Sequence, residues 1–179
     1  ADDILRCTRR GRLPLAAAKI AAALLICAAA FCLSAGMYLV ISDSLYGWEC
    51  TKTSVQLLFS IVSLPAMNLG QLQVTCAAGY LLTLLTTVSM TLLLSSRCRS
   101  VVSTLALSLL LCILPVIVFM SVPDWISNWI LPLLPAGGVA LQGSLLYSLL
   151  DFSFLNLGSL AIWLPHAMTA ACIIEIPLF

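Results

Sequence analysis

An all-α, polytopic helical membrane protein is what this sequence predicts: four transmembrane helices, with short re-entrant or interfacial helices on the outer side. Composition is the first reason. Of 179 residues, 62% are hydrophobic and only 8% are charged, against roughly 25% charged in an ordinary soluble domain. So little polar surface excludes a soluble enzyme or a disordered tail, and a formal net charge of +1 excludes a nucleic-acid binder that works by net charge. The second reason is where the few charges lie. Uncharged runs of 23, 24 and 23 residues separate Lys19 from Asp43, Arg99 from Asp124 and Asp151 from Glu175, and 44 separate Lys52 from Arg97. About 20 apolar residues carry a helix across a 30 Å hydrocarbon core. Spans are therefore expected at 19–41, 73–95, 101–122 and 158–178.

Each remaining stretch has its own local grammar. Residues 1–18 read as a basic cytoplasmic element, with a short helix over Asp2–Thr8, a break at Gly11 and a restart near Pro14. Proline is accepted in the first turn of a helix, so Pro14 can open the first span. The chain does not begin with Met, which is expected of a piece of a longer polypeptide. In the outer connection 42–72, Ser42–Thr53 is polar around Gly47 and Trp48, whereas Val55–Leu64 is apolar but too short to cross. Pro65 and Asn68-Leu69-Gly70 break that apolar half, which fits an interfacial or re-entrant segment.

Residues 96–100 form a turn tight enough to force the second and third spans antiparallel. Pro115 inside the third span should kink it unless neighbours satisfy the freed carbonyl. The outer stretch 123–157 is nearly as apolar as the spans, yet it carries Pro123, Pro132, Pro135 and Gly137-Gly138. Short helices that dip into the outer leaflet and return are expected there, including one amphipathic helix over Val139–Leu150. Trp125, Trp129, Tyr147 and Trp163 supply an interfacial belt.

Charge asymmetry sets the orientation. With four spans, Arg6, Arg9, Arg10, Arg12, Lys19, Arg97 and Arg99 fall on one side, and Asp43, Glu49, Asp124 and Asp151 on the other with Lys52. The positive-inside rule places the arginine side, and both ends of the chain, in the cytoplasm of a cell whose plasma membrane the protein crosses. Thr8-Arg9-Arg10-Gly11-Arg12 before an apolar run superficially resembles a twin-arginine export signal. The run is longer than a signal's 7–15 apolar residues, and three more spans follow.

The inventory of reactive groups is short. No phosphate-binding Gly-x-x-x-x-Gly-Lys-Ser/Thr occurs, so the chain is not expected to bind ATP through a phosphate loop. One histidine, His166, excludes a His-rich zinc site. The eight cysteines form no Cys-x-x-Cys; Cys27, Cys32, Cys76, Cys112 and Cys172 are expected as small packing residues within spans. Cys7 and Cys98 are cytoplasmic and should stay reduced, and Cys50 alone is external, where pairing with another chain is open. Glu175 is the one acid in a span: either a functional intramembrane acid or a side chain reaching headgroups near the cytoplasmic end. His166, after Pro165, is either a substrate or proton contact or a hydrogen-bonded residue near a helix start. Asp151 either caps a turn between outer helices or lines a vestibule.

One segment resembles a known family. Ile4-Leu5-Arg6-Cys7-Thr8-Arg9-Arg10-Gly11-Arg12-Leu13-Pro14-Leu15, with Lys19, is similar to the cytoplasmic coupling helix of ABC-2 type exporter permeases, especially those found in Firmicutes. The stretch 125–157, followed by Leu157-Gly158-Ser159-Leu160-Ala161-Ile162-Trp163-Leu164-Pro165, resembles that family's paired external helices before its last transmembrane helix. The resemblance implies that the four spans are the last four of six. It also implies that Ile4, Leu5, Arg6, Thr8, Arg9, Arg10, Gly11 and Arg12 dock on a separate ABC ATPase subunit, which holds the ATP and Mg. By the same resemblance this chain is itself no enzyme and holds no cofactor. A second permease subunit, identical or sister, would complete the path across the lipid bilayer. Two other classes stay open: an ion-coupled secondary transporter fragment, with Glu175 and His166 carrying protons, and a membrane scaffold without a path.

Overall fold

The computed structural model describes residues 12–59, 65–98, 100–135, 145–150, 154–158 and 160–178. The expected Asp2–Thr8 helix, the break at Gly11, the glycine pair 137–138 and Asp151 lie outside them.

Helix α1 runs over Arg12–Tyr46, 35 residues, or about 52 Å at 1.5 Å per residue. Alanine and leucine dominate it, and Pro14 sits in its first turn, where a missing N–H removes no helical bond. Gly47, at a φ of 87°, stops it in a conformation that costs a glycine nothing. A short 3-10 helix, Trp48–Lys52, follows, with an exposed Lys52–Glu49 ion pair at 3.0 Å. Helix α2, Val55–Leu58, is pinned beside the start of the next long helix. The Val55 N–H donates to the Met67 carbonyl (3.1 Å), and the Leu69 N–H donates to the Thr53 carbonyl (2.9 Å).

Helix α3, Leu69–Arg97, begins where the Asn68 N–H donates to Gln71 Oε1 at 3.1 Å, satisfying one of the donors that a helix start leaves free. After the tight turn, Ser100 caps α4, Val101–Ser121, its Oγ accepting from the Ser103 N–H at 3.1 Å. Helix α4 continues through Pro115, which is fully buried. Three helices, Leu15–Tyr46, Leu69–Arg97 and Val101–Val118, are long and apolar enough to cross a membrane. They match the first three expected spans, and the molecule is a mostly helical membrane protein.

The chain then shortens its elements: α5, Asp124–Ile130; a 3-10 turn, Leu131–Leu133; α6, Leu145–Leu150; strands β1, Phe154–Leu157, and β2, Leu160–Trp163; and α7, Leu164–Leu178. Here expectation and structure part. Residues 160–163, expected as the first turns of a span, are strand β2. They pair antiparallel with β1 in the register Phe154↔Trp163 to Leu157↔Leu160. The hairpin turns at Gly158, whose φ of 64° is a region that glycine enters freely. The all-α expectation therefore fails at one hairpin. Helix α7 is 15 residues, about 22 Å, short of a hydrocarbon core. Of the helix expected over Val139–Leu150, the described residues, Leu145–Leu150, are helical throughout.

Two small cores hold these elements together. Val55, Leu72, Cys76, Leu145 and Leu149 form one, with Met67, Tyr80 and Trp163 packed on it. Leu155, Leu164 and Met168 form the other. Both lie on the side of α3 that faces α6 and α7. In α1, by contrast, no described side chain is buried.

Candidate functional site

Along the buried face of α3, large residues give way to small and hydroxylated ones: Leu72, Cys76, Gly79, Thr83, Thr86 and Ser89. Their spacing of three or four keeps them on one helical face. Gly79 is the narrowest point. A Cβ there would collide with Leu145 Cδ2, so α6 seats directly on the α3 backbone. The hydroxyls bond mostly within their own helix: Thr83 Oγ1 to the Gly79 carbonyl (2.8 Å), Thr86 to Leu82 (2.9 Å) and Thr87 to Thr83 (2.7 Å).

Two of these hydroxyls also reach across. Thr86 Oγ1 donates to the Cys172 carbonyl of α7 at 3.4 Å, and Thr87 Oγ1 to the Pro135 carbonyl at 3.4 Å. Met168 and Thr169 lie beside Gly79, Leu82 and Thr83, and Cys172 lies beside Thr86. Helices α3 and α7 therefore run side by side in the same direction. Thr87 stands 18 residues inside α3, about 27 Å from its start. Pro135, which shares a crevice with Thr87, Thr91, Leu111 and Cys112, is thus level with the middle of α4.

One turn beyond the Thr86–Cys172 contact come Ser89 and Glu175, three residues further along each helix. Both are buried, and Ser89 Oγ and Glu175 Oε2 have no hydrogen-bond partner among the described residues. Ser127 Oγ and Trp163 Nε1 share that condition. Glu175 is turned into the protein, 9% exposed, rather than reaching outward toward headgroups as one sequence reading held.

Of the three candidate contacts from the sequence, His166 and Glu175 do not converge. His166 is exposed, its ring 5.3 Å from that of Trp163 and tilted by 53°. Glu175 lies nine residues further along α7, about 13 Å away by helical rise, and Asp151 is outside the described residues. Of the coupling residues, only Arg12 is described, as the first residue of α1; Ile4, Leu5, Arg6, Thr8, Arg9, Arg10 and Gly11 lie outside. Cys76 and Cys172 are buried as expected of packing residues, whereas Cys32 and Cys112 are exposed and Cys27 is half-buried. Among the described residues no group of three or more His, Cys, Asp or Glu is placed to hold a metal ion.

A second feature was not legible from the sequence. Between the C-terminal half of α1 and the first turns of α3 lies an open groove of about 500 Å³. Its walls include Phe31, Tyr38, Leu72, Cys76, Ala77 and Tyr80. At the end nearest the α1 C-terminus Gln73 Nε2 donates to Asp43 Oδ1 at 3.2 Å, joining residues 30 apart in the sequence. No protein-family model matches the chain, and neither a curated protein nor a solved structure does.

Proposed function

We propose that the chain is the transmembrane permease subunit of an ATP-driven exporter of the ABC-2 type, forming the substrate path and coupling to a separate ATPase. The observation that carries this reading is the fold-back of the segment after α4. Its Pro135 carbonyl meets Thr87 deep along α3, and Leu145 then seats on Gly79 on the way out. Irregular backbone at membrane depth is tolerated where it is buried in protein or lines a cavity. A re-entrant element of this kind suits a path better than a plain connector.

The same reading makes α7, Leu164–Leu178, the fourth crossing, supported at membrane depth by its parallel contact with α3. It places both ends of the chain in the cytoplasm of a plasma-membrane protein, and Ile4–Arg12 on the ATPase. ATP and Mg belong to that partner, so this chain carries no hydrolytic step; a second permease subunit closes the path. ATPase closure would push on the inner end of α1 and tilt it.

The test is a mild-detergent pull-down of the parent protein from its own membranes, as wild type and with Arg9, Arg10 and Arg12 changed to Ala. A Walker-type ATPase that copurifies with wild type and is depleted in the triple variant supports the coupling assignment. Absence of any ATPase from both samples overturns it. The unpartnered Glu175 and Ser89 favour a second reading, an ion-coupled secondary transporter, because buried acids at membrane depth commonly serve ion pathways. Proton-driven uptake or efflux in vesicles without ATP, lost in Glu175→Gln, would establish that alternative. If neither activity is found, a non-transport scaffold remains.

A further inference from the structure

The groove between α1 and α3 has a chemistry of its own. Its walls are apolar, but lipid tails are as apolar as leucine, so apolar walls alone cannot select a ligand from the bilayer. Selection has to come from the polar end. There, Asp43 is half-buried and, among the described residues, receives one hydrogen bond, from Gln73. No ion pair of Asp43 occurs among the described residues. The nearest cation in sequence, Lys52, is held by Glu49 at 3.0 Å.

A carboxylate has about four acceptor sites, and one hydrogen bond leaves most of them open. At a partly desolvated position the missing counter-charge matters more than in bulk water. The α1 wall of the groove runs from Phe31 to Leu39, eight residues or about 12 Å, and Asp43 stands four residues, about 6 Å, beyond it. A volume of about 500 Å³ is ordinary for a small-molecule pocket and small for a two-chain lipid.

We propose that this groove is a binding site for a single-chain cationic amphiphile, with the aliphatic chain along Phe31, Ala77 and Tyr80 and the ammonium head at Asp43. The site concerns binding alone and stands whether or not an ATPase partners the chain. Gln73, which lines the groove, holds Asp43 Oδ1 and so keeps the carboxylate's negative charge at that end of it. A sulfate or phosphate head of the same chain length meets like charge there and is rejected.

The test uses the whole chain in nanodiscs of zwitterionic lipid. Three photoreactive probes share one dodecyl chain and differ in the head: trimethylammonium, maltoside and sulfate. The ammonium probe should label peptides covering 31–39 and 69–80 about fivefold more than the sulfate probe, the size of one partly screened charge pair. In Asp43→Asn, which keeps an acceptor for Gln73, that preference should fall to about one. Ala77→Trp or, on the other wall, Ala35→Trp should lower labelling by all three probes. A two-chain ammonium lipid should fail to displace the ammonium probe.

Equal labelling by the three heads in wild type overturns the proposal, and so does a preference that survives in Asp43→Asn. Labelling confined to other segments also overturns it. Displacement by the two-chain lipid overturns the single-chain assignment. The head-group comparison on wild type needs no variant to fold.

Discussion

Helix α1 and helix α3 are both apolar and long enough to cross a membrane, yet they are built for opposite surroundings. On α1, Leu25, Leu33 and Tyr38 are each about 70% exposed, and no described side chain is buried. On α3, the residues at buried positions are a leucine, a cysteine, a glycine, two threonines and a serine. In water the larger hydrophobic residues would mark the inside. In a bilayer they do not, because tail and side chain are equally apolar and association rests on close packing and hydrogen bonds. The buried face of α3 is marked by small size and by hydroxyls, leucines and a methionine of the later segments pack against it, and the exposed face of α1 is marked by bulk.

The sharpest way to break that contrast is to add the same side chain to one glycine on each helix. Gly79→Val drives a branched group into Leu145, and overpacking should cost about 2–3 kcal/mol, read by denaturant titration in mixed micelles. Gly36→Val meets open space and should change stability by less than about 0.5 kcal/mol. Equal losses at the two positions would mean that α1 is as tightly packed as α3.

Glu175 gives the next largest effect, with the opposite sign. Replacing a buried carboxyl that has an unpartnered oxygen by leucine should stabilise the fold by about 1–3 kcal/mol. A destabilised Glu175→Leu variant would show that the carboxyl holds a partner, and a stabilised but inactive one that it serves function. Thr86→Val should cost only about 0.6 kcal/mol, the mean for hydrogen bonds between helices in membranes. Ser89→Ala, which removes an orphaned hydroxyl and no bond, should be neutral or slightly stabilising by the same measurement.

The long helices were legible because charges are expensive in hydrocarbon, so gaps between charges mark the crossings. Those gaps do not mark helix ends, however. Helix α1 runs on past Asp43 to Tyr46, and it starts at Arg12 among the described residues, since backbone bonds continue into the headgroup layer. Strand β2 was not legible because Leu160-Ala161-Ile162-Trp163 is a short apolar run, and periodicity cannot separate strand from helix at that length. Gly158 was the available turn signal. The prolines of 123–135 did indicate broken elements, and the contact between Thr87 and Pro135 shows where that segment goes. The Asp43–Gln73 pair and the Gly79–Leu145 contact escaped altogether, because each joins distant residues that carry no motif. Glu175 was singled out correctly as unusual, but its direction depended on α7 lying parallel to α3, a tertiary fact.

The hydroxyls of α3 carry a consequence for how the chain is made. Helix α3 precedes α6 and α7 in the chain, so a helix that enters the bilayer as it is made does so before they exist. For that interval its polar face meets lipid instead of protein. A naked hydroxyl there would be a penalty against insertion, since nothing in the hydrocarbon can bond it. Thr83, Thr86 and Thr87 each donate to a carbonyl of their own helix, four residues back, so α3 can wait in lipid with those three donors satisfied. When the later segments arrive, Thr86 and Thr87 share their protons with Cys172 and Pro135 without first giving up a bond.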